Sequence, residues 1–161
     1  MVTLFSNVAN KLSLEDLIKI HPQSKGIKIS KGNELKSCPY QVLDVFRDFD
    51  LLEGRNIRIL HWWGYGMFVL DFFGQDKAIH EVVNARFKEG YFLSVSSDPF
   101  DYPKIIDSQS AIHSVTEEAF EKLKMDQPFV LLVKKITLQR SMDQLEHLLS
   151  RELRLLLDIG N

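Results

Sequence analysis

The sequence predicts an α+β fold: an antiparallel or mixed β-sheet with a central aromatic hairpin, helices packed on it, and a long C-terminal helix. Three observations lead there. Arg58 to Gly74 reads as two apolar strands folded about Gly64-Tyr65-Gly66, and it holds both tryptophans. Phe129-Val130-Leu131-Leu132-Val133 is the strongest buried-strand signal in the chain. Ser141-Met142-Asp143-Gln144 opens a leucine-rich helix expected to end at Gly160. Early strands joined by short turns favour this class over a doubly wound parallel fold, which needs strand-helix alternation from the start.

The elements follow in order. Ser13-Leu14-Glu15-Asp16 is a helix-capping arrangement, and His21-Pro22 ends the short helix it opens. Ile27 and Ile29 alternate with Lys28 and Ser30, a half-buried strand over 26–30, and Lys31-Gly32-Asn33 reads as a turn. After Cys38-Pro39, Tyr40 to Asp44 is a strand that starts at a sheet edge, because proline donates no ladder bond.

Within the hairpin, side chains alternate with period two. Leu60, Trp62, Phe68, Leu70 and Phe72 share one face if the turn centres near Tyr65. Ile57, Ile59, His61, Trp63, Met67, Val69, Asp71 and Phe73 share the other. Both faces are mostly apolar, so the hairpin is expected to be covered on both sides, with its two tryptophans at the centre of the core.

Gln75 to Lys88 reads as a helix stopped by Gly90, and Tyr91 to Ser96 as a strand. Residues 97–112 have no clear period, and loops of that length are often functional. Ser114-Val115-Thr116-Glu117 is a further capping box, opening a helix to about Met125.

Composition narrows the function classes. At 161 residues, one domain spanning 1–161 is expected, large enough to bury a core without a disulfide or metal staple. The net charge of −2, with no basic stripe beyond Lys25, Lys28, Lys31 and Lys36, argues against nucleic-acid binding. Cys38 is the only cysteine, which excludes an intrachain disulfide and a thiolate metal cluster. Neither a signal segment nor a membrane-length apolar run is present, so a cytoplasmic location is expected, with no membrane partner. No cofactor or metal is expected, because no phosphate loop, dinucleotide fingerprint or His-Glu-x-x-His motif occurs.

The candidate chemistry is sparse. His61 and Asp71 fall on one hairpin face, and Asp76 and His80 are spaced for one helix face, so His61, Asp71 and His80 are catalytic candidates if they converge. The competing reading makes His61 a hydrogen-bonded core residue and Asp76 a helix cap. Cys38 is a nucleophile in one reading and a small buried hydrophobe in the other. Arg58, between two isoleucines, is a candidate anion anchor. Asp98 and Tyr102 are candidate ligand contacts in the long loop, although aspartates beside prolines also form ordinary turns.

In the C-terminal helix, Met142, Leu145, Leu148, Leu149, Leu153, Leu155, Leu156, Leu157 and Ile159 sweep an arc of about 200° at about 100° per residue. A surface helix needs little more than about 100°. Either the helix is wedged inside the fold, or one flank meets a second copy through Leu148 and Leu155.

Lys31-Gly32-Asn33-Glu34-Leu35, Cys38-Pro39-Tyr40-Gln41-Val42-Leu43-Asp44 and Trp62-Trp63-Gly64 resemble a pattern in small bacterial proteins that have no assigned activity. That resemblance implies a bacterial source and transfers no catalytic role to any residue. The absence of a catalytic motif and the wide apolar C-terminal helix lead to the expectation of a non-catalytic, homodimeric binding domain with a small-molecule ligand unknown. A small hydrolase or metal-dependent enzyme using His61, Asp71 and His80 is the alternative.

Overall fold

The computed structural model describes residues 1–76 and 78–158, without the Ser108 side chain. Two helices, α1 (Val2–Ala9) and α2 (Leu14–Ile20), precede four consecutive strands. These are β1 (Lys28–Leu35), β2 (Cys38–Asp44), β3 (Arg55–Trp62) and β4 (Gly66–Gly74). Then follow α3 (His80–Lys88), β5 (Phe92–Leu93), α4 (Tyr102–Ile105), α5 (Glu117–Asp126), β6 (Phe129–Ile136) and α6 (Met142–Leu157). The six strands form one sheet in the order β1-β2-β3-β4-β6-β5, every neighbouring pair antiparallel. The α+β class and the central aromatic hairpin are as the sequence predicts.

The sheet separates two apolar layers, and the period-two reading sorts them correctly. Ile57, Ile59, Met67, Val69 and Phe73 lie in one core with α1, α2 and α6. Leu60, Trp62, Phe68, Leu70 and Phe72 lie in the other, closed by Tyr102 and Ile105 of α4. Every residue of β3 is buried, as a strand covered on both faces requires. Trp62 is fully buried, but Trp63 is 43% exposed, so only one of the two tryptophans is a core residue.

Several boundaries move, each for a local reason. α1 carries no side-chain cap, which is why no sequence signal marks it. β1 runs on to Leu35 through an irregularity between Gly32 and Leu35, where a reversal at Lys31–Asn33 is expected. Tyr40 packs onto Gly32 so closely that a Cβ there would lie 2.5 Å from its ring. The reversal instead falls at Lys36 and Ser37, both at positive φ, an unusual choice where Asn-Gly is the common signal.

α3 begins at His80 rather than Gln75 because the chain stays tied to the preceding turn. Gln75 N–H donates to Leu51 O at 2.8 Å and Asp76 N–H to Leu52 O at 2.9 Å. Lys77, in the expected helix, lies outside the described residues, as do Ile159 and Gly160, expected at the end of the C-terminal helix. β5 is two residues long, much shorter than Tyr91–Ser96. The loop over 97–112 contains α4, started by Asp101, whose side chain accepts from Lys104 N–H. Thr116 rather than Ser114 caps α5, and Ser141 caps α6 by accepting from Gln144 N–H.

Most of the described part of the wide α6 arc is used within the chain. Leu145, Leu149, Leu153, Leu156 and Leu157 are buried against the sheet. The flank beside them meets α1, where Glu146 accepts from Asn7 at 2.8 Å and Lys11 at 2.6 Å. Leu148 is half-buried against the same core, while Leu155 is exposed.

A buried ionic network ties three layers together. Asp71 of β4 is wholly buried between two arginines. Its Oδ1 lies 2.5 Å from Arg55 Nη1 and its Oδ2 3.1 Å from Arg86 Nε. Arg86 also donates to Leu156 O of α6 at 3.3 Å and to Glu89 at 3.1 Å. Nearby, Glu152 of α6 accepts from Tyr91 Oη at 2.6 Å and from Lys134 Nζ at 2.9 Å. Burial and the Glu152 carboxylate push the Tyr91 phenol far above its ordinary range, so it stays a donor.

Asp71→Asn is expected to cost about 3–5 kcal/mol, because it leaves the buried Arg55 without a carboxylate among the described residues and Arg86 with Glu89 alone. Glu152→Gln should cost less, since Lys134 is one quarter exposed and can turn to water. Urea denaturation of the two variants tests the ranking.

Candidate functional site

The open end of the sheet is where its polar and aromatic side chains are least committed. β3 runs into β4 through Trp63, Gly64 and Tyr65, with Trp62 opposite Gly66 as the last pair. Gly64 and Gly66 take φ of 81° and 123°, which only glycine adopts without strain. Tyr65 N–H donates to Trp62 O at 3.0 Å and closes the turn.

The two tryptophans do different work. Trp62 points into the core, donates its indole N–H to Leu35 O at 3.1 Å and stacks on Tyr65 at 3.7 Å between ring centres. The Lys36 ammonium lies 6.0 Å from the Trp62 ring centre. Trp63 is directed outward. Its backbone N–H donates to Pro39 O at 3.0 Å, and its ring meets His61 nearly edge to face at 4.2 Å.

Trp63 is the shared wall of two open grooves. One, of about 540 Å³, lies between the hairpin and the segment after β6, and is also lined by His61, Tyr65, Lys135 and Leu138. The other, of about 420 Å³, faces the β1–β2 ribbon and is lined by Lys31, Asn33, Tyr40 and Gln41. Each groove has one lysine, and neither has a carboxylate among its described lining residues. The chain as a whole is slightly acidic, so this end is locally basic.

Strand register sets one polar rung beneath Trp63. Lys31 pairs with Gln41, Gln41 with His61, and His61 with Met67. Cross-strand partners share a face, so a cation, an amide and an imidazole stand side by side before the rung turns apolar. Gln41 Oε1 and His61 Nδ1 are both buried without a hydrogen-bond partner among the described residues. Burial, aided by the positive Met1 amino terminus, holds the His61 imidazole below its ordinary value, so the ring is neutral at pH 7.

The expected catalytic residues do not gather. The hairpin register centres on Gly64 rather than Tyr65, and Asp71 lies opposite Ile57, well down the strand from His61. Asp71 is held by Arg55 and Arg86, and His80 meets Asn84 at 3.2 Å and the Phe120 ring. Asp76 precedes α3, so it shares no helix face with His80. Among the described residues, no group of three or more His, Cys, Asp or Glu side chains is arranged to hold a metal.

Two of the expected ligand contacts, Arg58 and Tyr102, do meet, but inside the fold, while Asp98 stays exposed. Arg58 grips Asp44 through Nε at 2.7 Å and Nη2 at 2.8 Å. Its Nη1 donates to the Tyr102 oxygen. Burial pushes the Tyr102 phenol up to about 12. Phe49 and Phe100 flank the guanidinium at 5.1 and 5.2 Å from their ring centres. Asp98 Oδ1 accepts from Phe100 N–H at 2.8 Å and shapes the turn that brings Phe100 over Arg58. This cluster fastens α4 to the sheet. Cys38 is part-buried against the same layer.

Gln41, Lys135 and the exposed Trp63 are the site residues that sequence reasoning missed. A hairpin centred one residue earlier would have placed Trp63 in the turn, but Gln41 and Lys135 become neighbours of the hairpin only through strand order. Comparison of the chain with protein-family models, curated proteins and solved structures gives no match. The site is therefore read from its own geometry.

Trp63→Phe is expected to abolish most acrylamide quenching of tryptophan fluorescence and to shift the remaining emission to the blue. Unchanged quenching would mean that Trp63 is not the exposed indole. His61 contributes stability in its neutral form, which is intact above about 6.5 and declines as pH falls below it, because the unfolded chain takes up the proton first. The urea midpoint of wild type relative to His61→Phe should therefore fall between pH 7 and pH 5.

Proposed function

We propose that this protein is a non-catalytic binding domain that holds a planar, anionic ligand at the open end of its sheet, against Trp63. The observation that carries this reading is the half-exposed Trp63 ring between two grooves that each offer a lysine and no carboxylate. An exposed indole is a large, rigid contact surface with few side-chain rotors. Stacking on such a ring is worth about 1–3 kcal/mol, and an exposed lysine adds about 0–1 kcal/mol to an ion pair. Trp63 thus supplies most of the affinity and the lysines select the sign of the charge.

Separate partners for His61, Asp71 and His80 favour binding over the hydrolase or metalloenzyme alternative. The core use of Leu148 and the contact between α6 and α1 account for part of the helix's apolar arc within one chain, and Leu155 stays exposed.

Naphthalene-2-sulfonate, a planar anion with no N–H edge, is a suitable probe. In titrations followed by backbone amide NMR shifts, it should perturb Gly64, Gly66 and His61. Trp63→Ala should weaken it about 10- to 100-fold. A Lys31→Gln/Lys135→Gln variant should weaken it several-fold and flatten its salt dependence. Equal binding by Trp63→Ala would remove this reading.

A further inference from the structure

The polar rung narrows the ligand further, on the premise that the Trp63 end is a binding site. The Gln41 amide takes a donor at Oε1 or, turned over, an acceptor at Nε2. His61 Nδ1, on a neutral ring, takes either a donor or an acceptor according to the tautomer. Buried polar atoms left unpaired are costly and rare in native proteins. Here two of them occupy directly paired positions on neighbouring strands, and neither bonds to the other. Side chains so paired stand about 5 Å apart, close enough for one flat ligand edge to serve both. Lys31 is the next residue along the same rung. At a strand spacing of about 4.8 Å, its backbone is about 10 Å from that of His61, which is the scale of a base and its 5′-phosphate.

We infer that the ligand is a nucleotide. A base edge pairs with Gln41 and His61, the Trp63 indole stacks on the base, and Lys31 faces the phosphate. One molecule then meets three separate demands: a planar ring, a hydrogen-bonding edge, and a negative charge. Trp63 lies over His61 through a ring contact alone. Turning its half-exposed side chain outward opens the rung to a groove and leaves the indole free to close over the base. The net charge of −2 weighs against a long nucleic-acid track, which needs a basic stripe. It does not weigh against one nucleotide unit, whether free or at the end of a strand.

The test is titration of the four ribonucleoside 5′-monophosphates and of an eight-residue oligouridylate, read by Trp63 fluorescence and by the ¹⁵N resonances of the His61 ring. At least one monophosphate should quench Trp63 and shift His61 Nδ1. Gln41→Leu and Trp63→Ala should each weaken it tenfold or more. A monophosphate equal to the oligomer marks a free nucleotide as the ligand. An oligomer at least tenfold tighter marks a strand, and both results support the inference. The His61 ring signals are read on the wild-type protein, so the test does not depend on variants folding. If naphthalene-2-sulfonate binds at Trp63 but no nucleotide shifts His61, the nucleotide inference fails and the binding site stands. If neither probe binds, both fail.

Discussion

One carboxylate with no exposed surface organises this protein. Asp71 sits between Arg55 of the adjoining strand and Arg86 of α3, and Arg86 continues to a backbone carbonyl of α6. Burying a lone charge costs several kcal/mol, so the arrangement holds only when β3, β4, α3 and α6 are all in place. The apolar layers supply the bulk of the burial, but they are non-directional. The ion pairs and the Tyr91–Glu152–Lys134 bonds beside them specify where each helix lies on the sheet.

The second core is organised in the same way. Arg58, Asp44 and Tyr102 lock the short α4 over the other face of the sheet, with Asn56 Nδ2 bonding to Asp44 Oδ1 at 2.8 Å. The middle of the sheet is thus committed on both faces, and its buried arginines and aspartates are ion-paired to one another. The hairpin end differs. Its rung carries polar atoms with no internal partner, and one of its two tryptophans stands outside the core. Function is read at that end because rigidity is spent elsewhere and complementarity is left over there.

Much of the fold was legible in the sequence. Period-two alternation in Arg58–Gly74 sorted both faces of the hairpin correctly, because an error of one residue in the turn centre shifts the register by two and leaves the faces unchanged. Ser13 and Ser141 signalled their helices through side-chain caps. α1 has no such cap and went unseen, and Lys36-Ser37 does not look like a turn. The site was less legible for a physical reason. Asp71 faces Arg55 through local pairing, but its bond to Arg86, like the neighbourhood of Lys31, Gln41 and His61, depends on tertiary packing and strand order that no local pattern encodes. Arg58 and Tyr102 were singled out individually, yet their mutual bond makes them part of the scaffold.

Two adjacent tryptophans with opposite environments give the account its most direct test. Labelling with 5-fluorotryptophan should give two ¹⁹F resonances, assigned with Trp63→Phe. The Trp63 signal should respond to the solvent isotope and move when a nucleoside monophosphate is added, while the Trp62 signal stays fixed. A ligand that moved only Trp62, or no ligand-induced change at Trp63 with any planar anion, would contradict the claim that this end of the sheet is the binding surface.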